Sequence, residues 1–432
     1  MKGEFPMKLT QKHPANQVLD IINRVYYNKL TTVSGGNIST IDDDGNIFIT
    51  PSGIDKGSLQ RRDIMKVSPS GEIEGLHKPS CELPFHSNVY KLRPDIKAIV
   101  HAHPPALVAY AVTRNIPITN LTSHTAAKCG NISTSRYAIP GSKELGDIIT
   151  EEFAKGFDLI MMDAHGAVVG AKDLESAFAL FEELDYCARM QINAASIGLL
   201  SEINGKHAKK PQISFGSFKN GKKTNAEIDY REDICKFLSR AYDQNIVNTS
   251  FGTLSQRLSE DEFLINPHLA DRKTLTPDDI VKIKGNDAEE GKIPARAAGL
   301  HKQIYRTHPE VESIFISEPP YATTFALTQS KPFDSRLIPE SYMMLHDVKK
   351  LPYTAMSNYK EISDVIGKKV PVVLIENEGA VAVGKSLMQV FDRMEVLEYS
   401  ANSVLSAYRM GTKISPMSEE EVEEVNKYFN IW

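Results

Sequence analysis

Phe237-Leu-Ser-Arg-Ala-Tyr242 echoes Ile22-Asn-Arg-Val-Tyr26, with the arginine and the tyrosine each displaced by 216 positions. The echo is sustained. Pro294 to Phe315 tracks Pro79 to Val100 at a displacement of 215, setting His301 under His86, Tyr305 under Tyr90 and Pro309 under Pro94. Glu378-Gly-Ala-Val381 tracks His165-Gly-Ala-Val168 at 213, and Phe391, Glu395 and Tyr399 repeat Phe178, Glu182 and Tyr186. A displacement that drifts only from 216 to 213 across half of a 432-residue chain marks a duplicated domain. The expected organisation is a first copy over residues 1–204, a linker over 205–226 and a second copy over 227–432. The linker is placed by composition. GKHAKKPQISFGSFKNGKKTN, from Gly205, is rich in lysine, glycine and serine and reads as a solvated interdomain segment.

Within the first copy, apolar residues at Val18, Ile21, Ile22 and Val25 predict an amphipathic helix over Ala15 to Lys29. Thr32-Val-Ser-Gly-Gly-Asn-Ile-Ser39 is a glycine-containing turn running into a strand. Asp42-Asp-Asp-Gly45 reads as a hairpin turn, and Asn46 to Thr50 as the returning strand. Lys78-Pro-Ser-Cys81 is a further turn, before Glu82 and a helix from Leu83 to Leu92 that Pro94 stops. Helices over Ser142 to Phe153 and Leu174 to Met190 flank a short buried strand, Asp158 to Met162.

Chemistry concentrates in Ala98-Ile-Val-His-Ala-His-Pro-Pro105. Side chains two apart on a strand share a face, so His101 and His103 can converge on one point. His165 ends an apolar strand and precedes a glycine, which allows close backbone approach and makes it the natural third ligand. Three neutral imidazoles leave a fourth metal position open, as a catalytic site requires. Glu82, at the mouth of a helix, is placed to act as acid/base and to sit in the open position when substrate is absent. Opposite His101, His103 and His165 the second copy carries Ile316, Glu318 and Glu378, and opposite Glu82 it carries Ala297. All four positions changed while the scaffold around them persisted, so the second copy is read as chemically silent.

Bulk properties remove other classes. A net charge of -5 argues against a nucleic-acid binder. No apolar run approaches the roughly 18 residues of a membrane span, and MKGEFPMKLT lacks the apolar core of a secretory signal. Cys81, Cys129, Cys187 and Cys235 lie far apart with no CxxC pair, so neither a disulfide framework nor a zinc knuckle is expected and a reducing cytoplasm is the expected location.

HAHP, the Gly-Asn turn, Thr-Pro-Ser-Gly, Pro-Ser-x-Glu and the later His-Gly together resemble the class II aldolase/adducin family, especially its L-fuculose-1-phosphate aldolases. The resemblance covers nearly all of residues 15–200 and, in degraded form, 230–412. It implies two tandem three-layer α/β/α domains, each with a central, largely antiparallel mixed sheet. It further implies a sugar-phosphate aldolase that cleaves a ketose 1-phosphate to dihydroxyacetone phosphate and an aldehyde through a metal-stabilised enediolate. His101, His103 and His165 would hold the metal, zinc first and manganese, iron or cobalt next, and Glu82 would move the proton. Gly36, Asn37, Ser52, Gly53, Ser80 and Cys81 would cradle the phosphate, with Cys81 departing from the usual serine. Converging N–H and hydroxyl donors on glycine-containing turns suit a dianion.

The same family contains methylthioribulose-1-phosphate dehydratases, pentulose-5-phosphate 4-epimerases and adducin, a non-enzymatic interaction protein. The epimerases usually carry aspartate where Glu82 stands, which favours the aldolase or dehydratase, and the intact histidines weaken the adducin reading. Because the aldolases form fourfold rings, the second copy is expected to take alternate places in a pseudo-fourfold ring built by a homodimer. Tyr342 and Arg336 are its candidates for completing the active site.

Overall fold

The structure, a computed structural model, describes residues 8–201, 209–211, 213–329 and 331–431. They form two compact units, one from residues 8–119 together with 125–189, the other from 120–124 together with the described residues from 190 onward. The boundary expected near residue 204 falls within 202–208, outside the described residues.

In the first unit a sheet is built from β1 (Asn37–Ile41), β2 (Ile47–Ile49), β3 (Met65–Val67), β4 (Ile73–Glu74), β5 (Ala98–Ala102), β6 (Ser133–Ser135), β7 (Leu159–Met162) and β8 (Gly166–Ala171). Its order is β4-β3-β2-β1-β5-β8-β7-β6. Only β6 and β7 run parallel; the other neighbours are antiparallel. Alternation sorts the side chains of β5. Ala98, Val100 and Ala102 face a helical layer where Ile21, Ile22 and Val25 of helix Pro14–Tyr27 meet Phe178 and Phe181 of helix Leu174–Ala195. Ile99 faces the opposite layer, formed by helices Leu83–Leu92 and Lys143–Ala154. The unit is therefore the expected three-layer α/β/α sandwich around a mixed, largely antiparallel sheet. Each fully buried Val, Ile or Phe contributes about 1.5–3 kcal/mol of the burial that holds the layers together.

The second unit repeats the plan with β9 (Gly216–Phe218), β10 (Thr253–Arg257), β11 (Glu262–Ile265), β12 (Val281–Lys284), β13 (Asp287–Glu289), β14 (Ser313–Ser317), β15 (Lys349–Leu351), β16 (Val372–Ile375) and β17 (Gly379–Gly384). Their order is β15-β16-β17-β14-β10-β11-β12-β13-β9. Strand β9 lies inside the stretch read as a solvated linker, and it pairs parallel with β13. That part of the stretch is sheet.

The duplication is visible in register. Asn37 pairs with His101 as Thr253 pairs with Ile316. A buried hydroxyl triad recurs as well. Ser39 Oγ lies 2.7 Å from His86 Nδ1 and 2.6 Å from the Tyr90 hydroxyl. Ser255 Oγ lies 2.6 Å from His301 Nδ1 and 2.7 Å from the Tyr305 hydroxyl. Among the described residues no helix is long and apolar enough to cross a membrane, and none of the four cysteines is in a disulfide.

Candidate metal centre and active site

Strand β5 carries His101, and His103 follows its last residue on the same side. His165 sits in the turn between β7 and β8, after Ala164, whose φ of 53° is left-handed. Gly166 completes the approach, because a Cβ there would lie 2.6 Å from the Ala102 carbonyl oxygen. The three rings meet with centroids 4.7 Å apart for His101 and His103, and 4.9 Å for each of the pairs with His165. One nitrogen from each lies within 4.8 Å of the others; among the described residues this is the group able to hold a metal.

Protonation follows from the partners. His101 Nδ1 is 2.9 Å from the Ala167 carbonyl oxygen, which can only accept, so Nδ1 carries the proton and Nε2 a bare lone pair. Burial pushes the His101 pKa down to about 3, the neighbouring His165 adding to it. Burial and then His101 push His103 to about 4. His165 is also lowered, chiefly by burial. All three are neutral at pH 7, the form that binds a metal. His103 Nε2 stands 3.0 Å from His101 Nε2, a separation that needs a proton or a cation between the two nitrogens.

Glu82 caps helix Leu83–Leu92 and is 5% exposed. Its Oε2 accepts from Asn37 Nδ2 at 2.7 Å and lies 3.3 Å from His101 Nε2. Its Oε1 makes no hydrogen bond and lies 3.9 Å from His165 Nε2. A buried carboxylate turned toward neutral imidazoles is expensive unless a cation joins them. The donor set therefore fits a divalent metal with borderline nitrogen preference.

Asn37 does more than sequence suggested. Its Oδ1 accepts from His86 Nε2 at 2.6 Å while its Nδ2 holds Glu82. Tyr90, Ser39, His86 and Asn37 thus form one line of hydrogen bonds ending on the carboxylate, the kind of outer support that fixes a reactive group.

The expected phosphate turns are neighbours. Pro51 bridges Pro79, Ser52 N donates to Lys78 O at 2.9 Å, and Ser80 N donates to Thr50 O at 3.1 Å. Those two amides are consumed by the turns themselves. The Ser52 and Ser80 hydroxyls and the amides of Gly36 and Gly53 remain as donors, and both glycines take a φ of 67°. Cys81 is exposed overall, and the partial desolvation of its thiol, followed by the Glu82 charge, raises its pKa. Sequence reading missed Lys56. Its Nζ donates to Pro51 O at 2.6 Å, it is 1% exposed, and burial lowers its pKa to about 8. Nothing in Asp55-Lys-Gly-Ser58 distinguishes it from a solvated lysine.

In the second unit Ile316 joins the apolar core. Glu318 is buried, and Glu378 accepts from Ser123 Oγ at 2.7 Å and pairs with Lys210 Nζ at 2.6 Å. An ammonium neutralises the carboxylate that replaced the third histidine. Tyr342 bonds Asn426 and Arg336 pairs with Asp334.

The family model described as "Class II Aldolase and Adducin N-terminal domain" matches residues 16–192 and again 232–405. The chain belongs to the class II aldolase and adducin family. Among relatives, the 3-oxo-tetronate 4-phosphate decarboxylase of Pectobacterium atrosepticum is 34% identical over 163 residues, 37% of this chain and 74% of the relative. The 5-deoxy-D-ribulose 1-phosphate aldolase of Bacillus thuringiensis is 34% identical over 173 residues, 39% and 79% of the two chains. The L-fuculose phosphate aldolase of Methanocaldococcus jannaschii is 32% identical over 177 residues, 41% and 94%. The two matched segments are the two copies of the sandwich, and the family together with these aldolase and decarboxylase relatives supports a class II aldolase-type lyase. The decarboxylase among the relatives adds a reaction that sequence reading did not consider.

Proposed function

We propose that the first unit breaks a carbon–carbon bond in a phosphorylated ketose to give the enediolate of dihydroxyacetone phosphate, releasing an aldehyde. The observation that carries this reading is the convergence of three neutral imidazoles with a buried carboxylate whose Oε1 makes no hydrogen bond. A divalent metal held by His101, His103 and His165 would supply positive charge beside the carbonyl and hydroxyl oxygens as electrons move onto them. The chain's own residues do the rest. Gly36, Asn37, Ser52, Gly53, Ser80 and Cys81, with Lys56 beneath the Pro51 turn, hold the phosphate. Glu82 takes the C4 hydroxyl proton, the C3–C4 bond breaks with its electron pair left on the enediolate as the C4 carbonyl forms, and Glu82 returns that proton to C3. Asn37 and His86 keep the carboxylate aimed.

One observation favours a second reading. A relative named 3-oxo-tetronate 4-phosphate decarboxylase acts on a substrate that yields the same enediolate, with carbon dioxide as the departing electrophile. Glu82 then needs only to deliver a proton. A panel of ketose 1-phosphates and 3-oxo-tetronate 4-phosphates, assayed for dihydroxyacetone phosphate with aldehyde or carbon dioxide counted separately, tests both. Dihydroxyacetone phosphate with aldehyde supports the first reading, with carbon dioxide the second. Its absence throughout, with dehydration of a thio-sugar phosphate, removes both. A homodimer, zinc as the metal and a cytoplasmic location belong to the same proposal, and a solution mass of a single chain would count against the dimer.

A further inference from the structure

The second unit bears an open cleft of about 1500 Å³, lined among others by Thr253, His268, Arg272, Arg296, Lys210 and Glu378. Its backbone preserves the first unit's phosphate turns bond for bond. Pro267 bridges Pro294 as Pro51 bridges Pro79. His268 N donates to Ile293 O at 2.9 Å, as Ser52 N does to Lys78 O, and Ala295 N donates to Asn266 O at 3.1 Å, as Ser80 N does to Thr50 O. Even the left-handed turn residue persists. Leu269, in the place of Gly53, keeps a φ of 53° although a leucine there is strained.

Three side chains on that frame are now histidine or arginine, while Ser80 has become Ala295. Where the first unit has Ser52, Lys56 and Cys81, the second has His268, Arg272 and Arg296. Arg272 is 4% exposed and held by the Gly252 and Ala270 carbonyls. Burial lowers its pKa to about 10, the Asp271 carboxylate opposing that fall and Arg296 adding to it. Among the described residues neither guanidinium has a carboxylate within ion-pair distance. The two carboxylates lining the cavity are engaged elsewhere, Glu378 with Lys210 and Glu289 with Arg231 and Lys292. A further buried donor or acceptor lacks its partner. His301 is 0% exposed, and its Nε2 makes no hydrogen bond. The equivalent nitrogen of His86 reaches Asn37, and in that register stands Thr253, which lines the cavity.

We propose that this cavity binds the phosphomonoester group of a small phosphorylated compound and does not turn it over. Two guanidiniums on a turn frame shaped for phosphate supply charge and fork-like donors, while Ile316 and Ala297 stand where the first unit has His101 and Glu82. The comparison of the two frames rests on the phosphate role given to the first unit's turns; the two guanidiniums at the cavity do not.

Dihydroxyacetone phosphate titrated calorimetrically into the full-length, metal-loaded chain tests it. Two equivalents bind per chain, and Arg296→Glu, an exposed position with no bond to the fold, weakens one of them at least tenfold. Arg272→Lys, which keeps the buried charge but loses the fork, weakens the same equivalent. Two-site binding at wild-type affinities in both variants overturns the proposal, as does a single wild-type equivalent abolished by Ser52→Ala with Ser80→Ala. A single equivalent abolished by Arg296→Glu instead supports it and removes the phosphate role of the first unit's turns.

Discussion

Glu82 shows how little separates a helix cap from a reactive group. Its carboxylate is buried, its Oε2 is fixed by Asn37, and its Oε1 makes no hydrogen bond. Glu82→Gln keeps size and most contacts but cannot carry the proton, so turnover should fall by about 10²–10⁴-fold with metal content unchanged; normal turnover in that variant would end its assigned role. The histidines were legible in sequence because the two-residue period and the joint loss in the second copy isolate them. Lys56 was not, since burial of one lysine in a polar turn has no periodic signature. Its effect is measurable through pH. In the ligand-free protein Lys56 titrates near 8 against about 10.4 when unfolded, so between these values the unfolded chain holds more protons and stability rises with pH. Lys56→Met abolishes that slope. The mutant's advantage over wild type in urea unfolding should be largest below pH 8 and shrink by about 3 kcal/mol as pH passes roughly 10.5. Parallel stability curves would refute the buried charge.

At the scale of elements, the turn before the third ligand is the same device in both units. Ala164 has a φ of 53° and Asn377, 213 positions on, a φ of 57°. Asparagine tolerates that region and alanine does not, so Ala164→Gly should raise the unfolding free energy by about 1 kcal/mol, measured by denaturant midpoint. Strand β14 shows what replaces a lost ligand. Ile316 packs with Val373, Val381 and Ile314, so Ile316→Ala should destabilise the second unit by about 2–4 kcal/mol and leave metal content alone. Strands such as β5 and β7 were readable because their apolar residues run to a turn. Strand β9 was not. Gly-Ser-Phe has no alternation, and its pairing with β13 is set by residues about 70 positions away.

At the scale of the chain, duplication and divergence explain each other. One copy keeps three imidazoles and a carboxylate, and the other keeps the frame while its ligand positions become core, a buried acid and an ion pair with Lys210. Most of the second copy's fold could be read from the first, because the repeat carried the core positions of the shared strands and helices; β9 has no counterpart in the first sheet. The arginine lining of the second cavity could not, since Arg272 and Arg296 are separated along the sequence and come together only through the turns. Metal content per chain, measured by mass spectrometry of the dialysed full-length protein, tests the division of labour. One equivalent is predicted, lost in His103→Ala and retained in Glu378→Ala. Two equivalents, or one that survives His103→Ala, would contradict it.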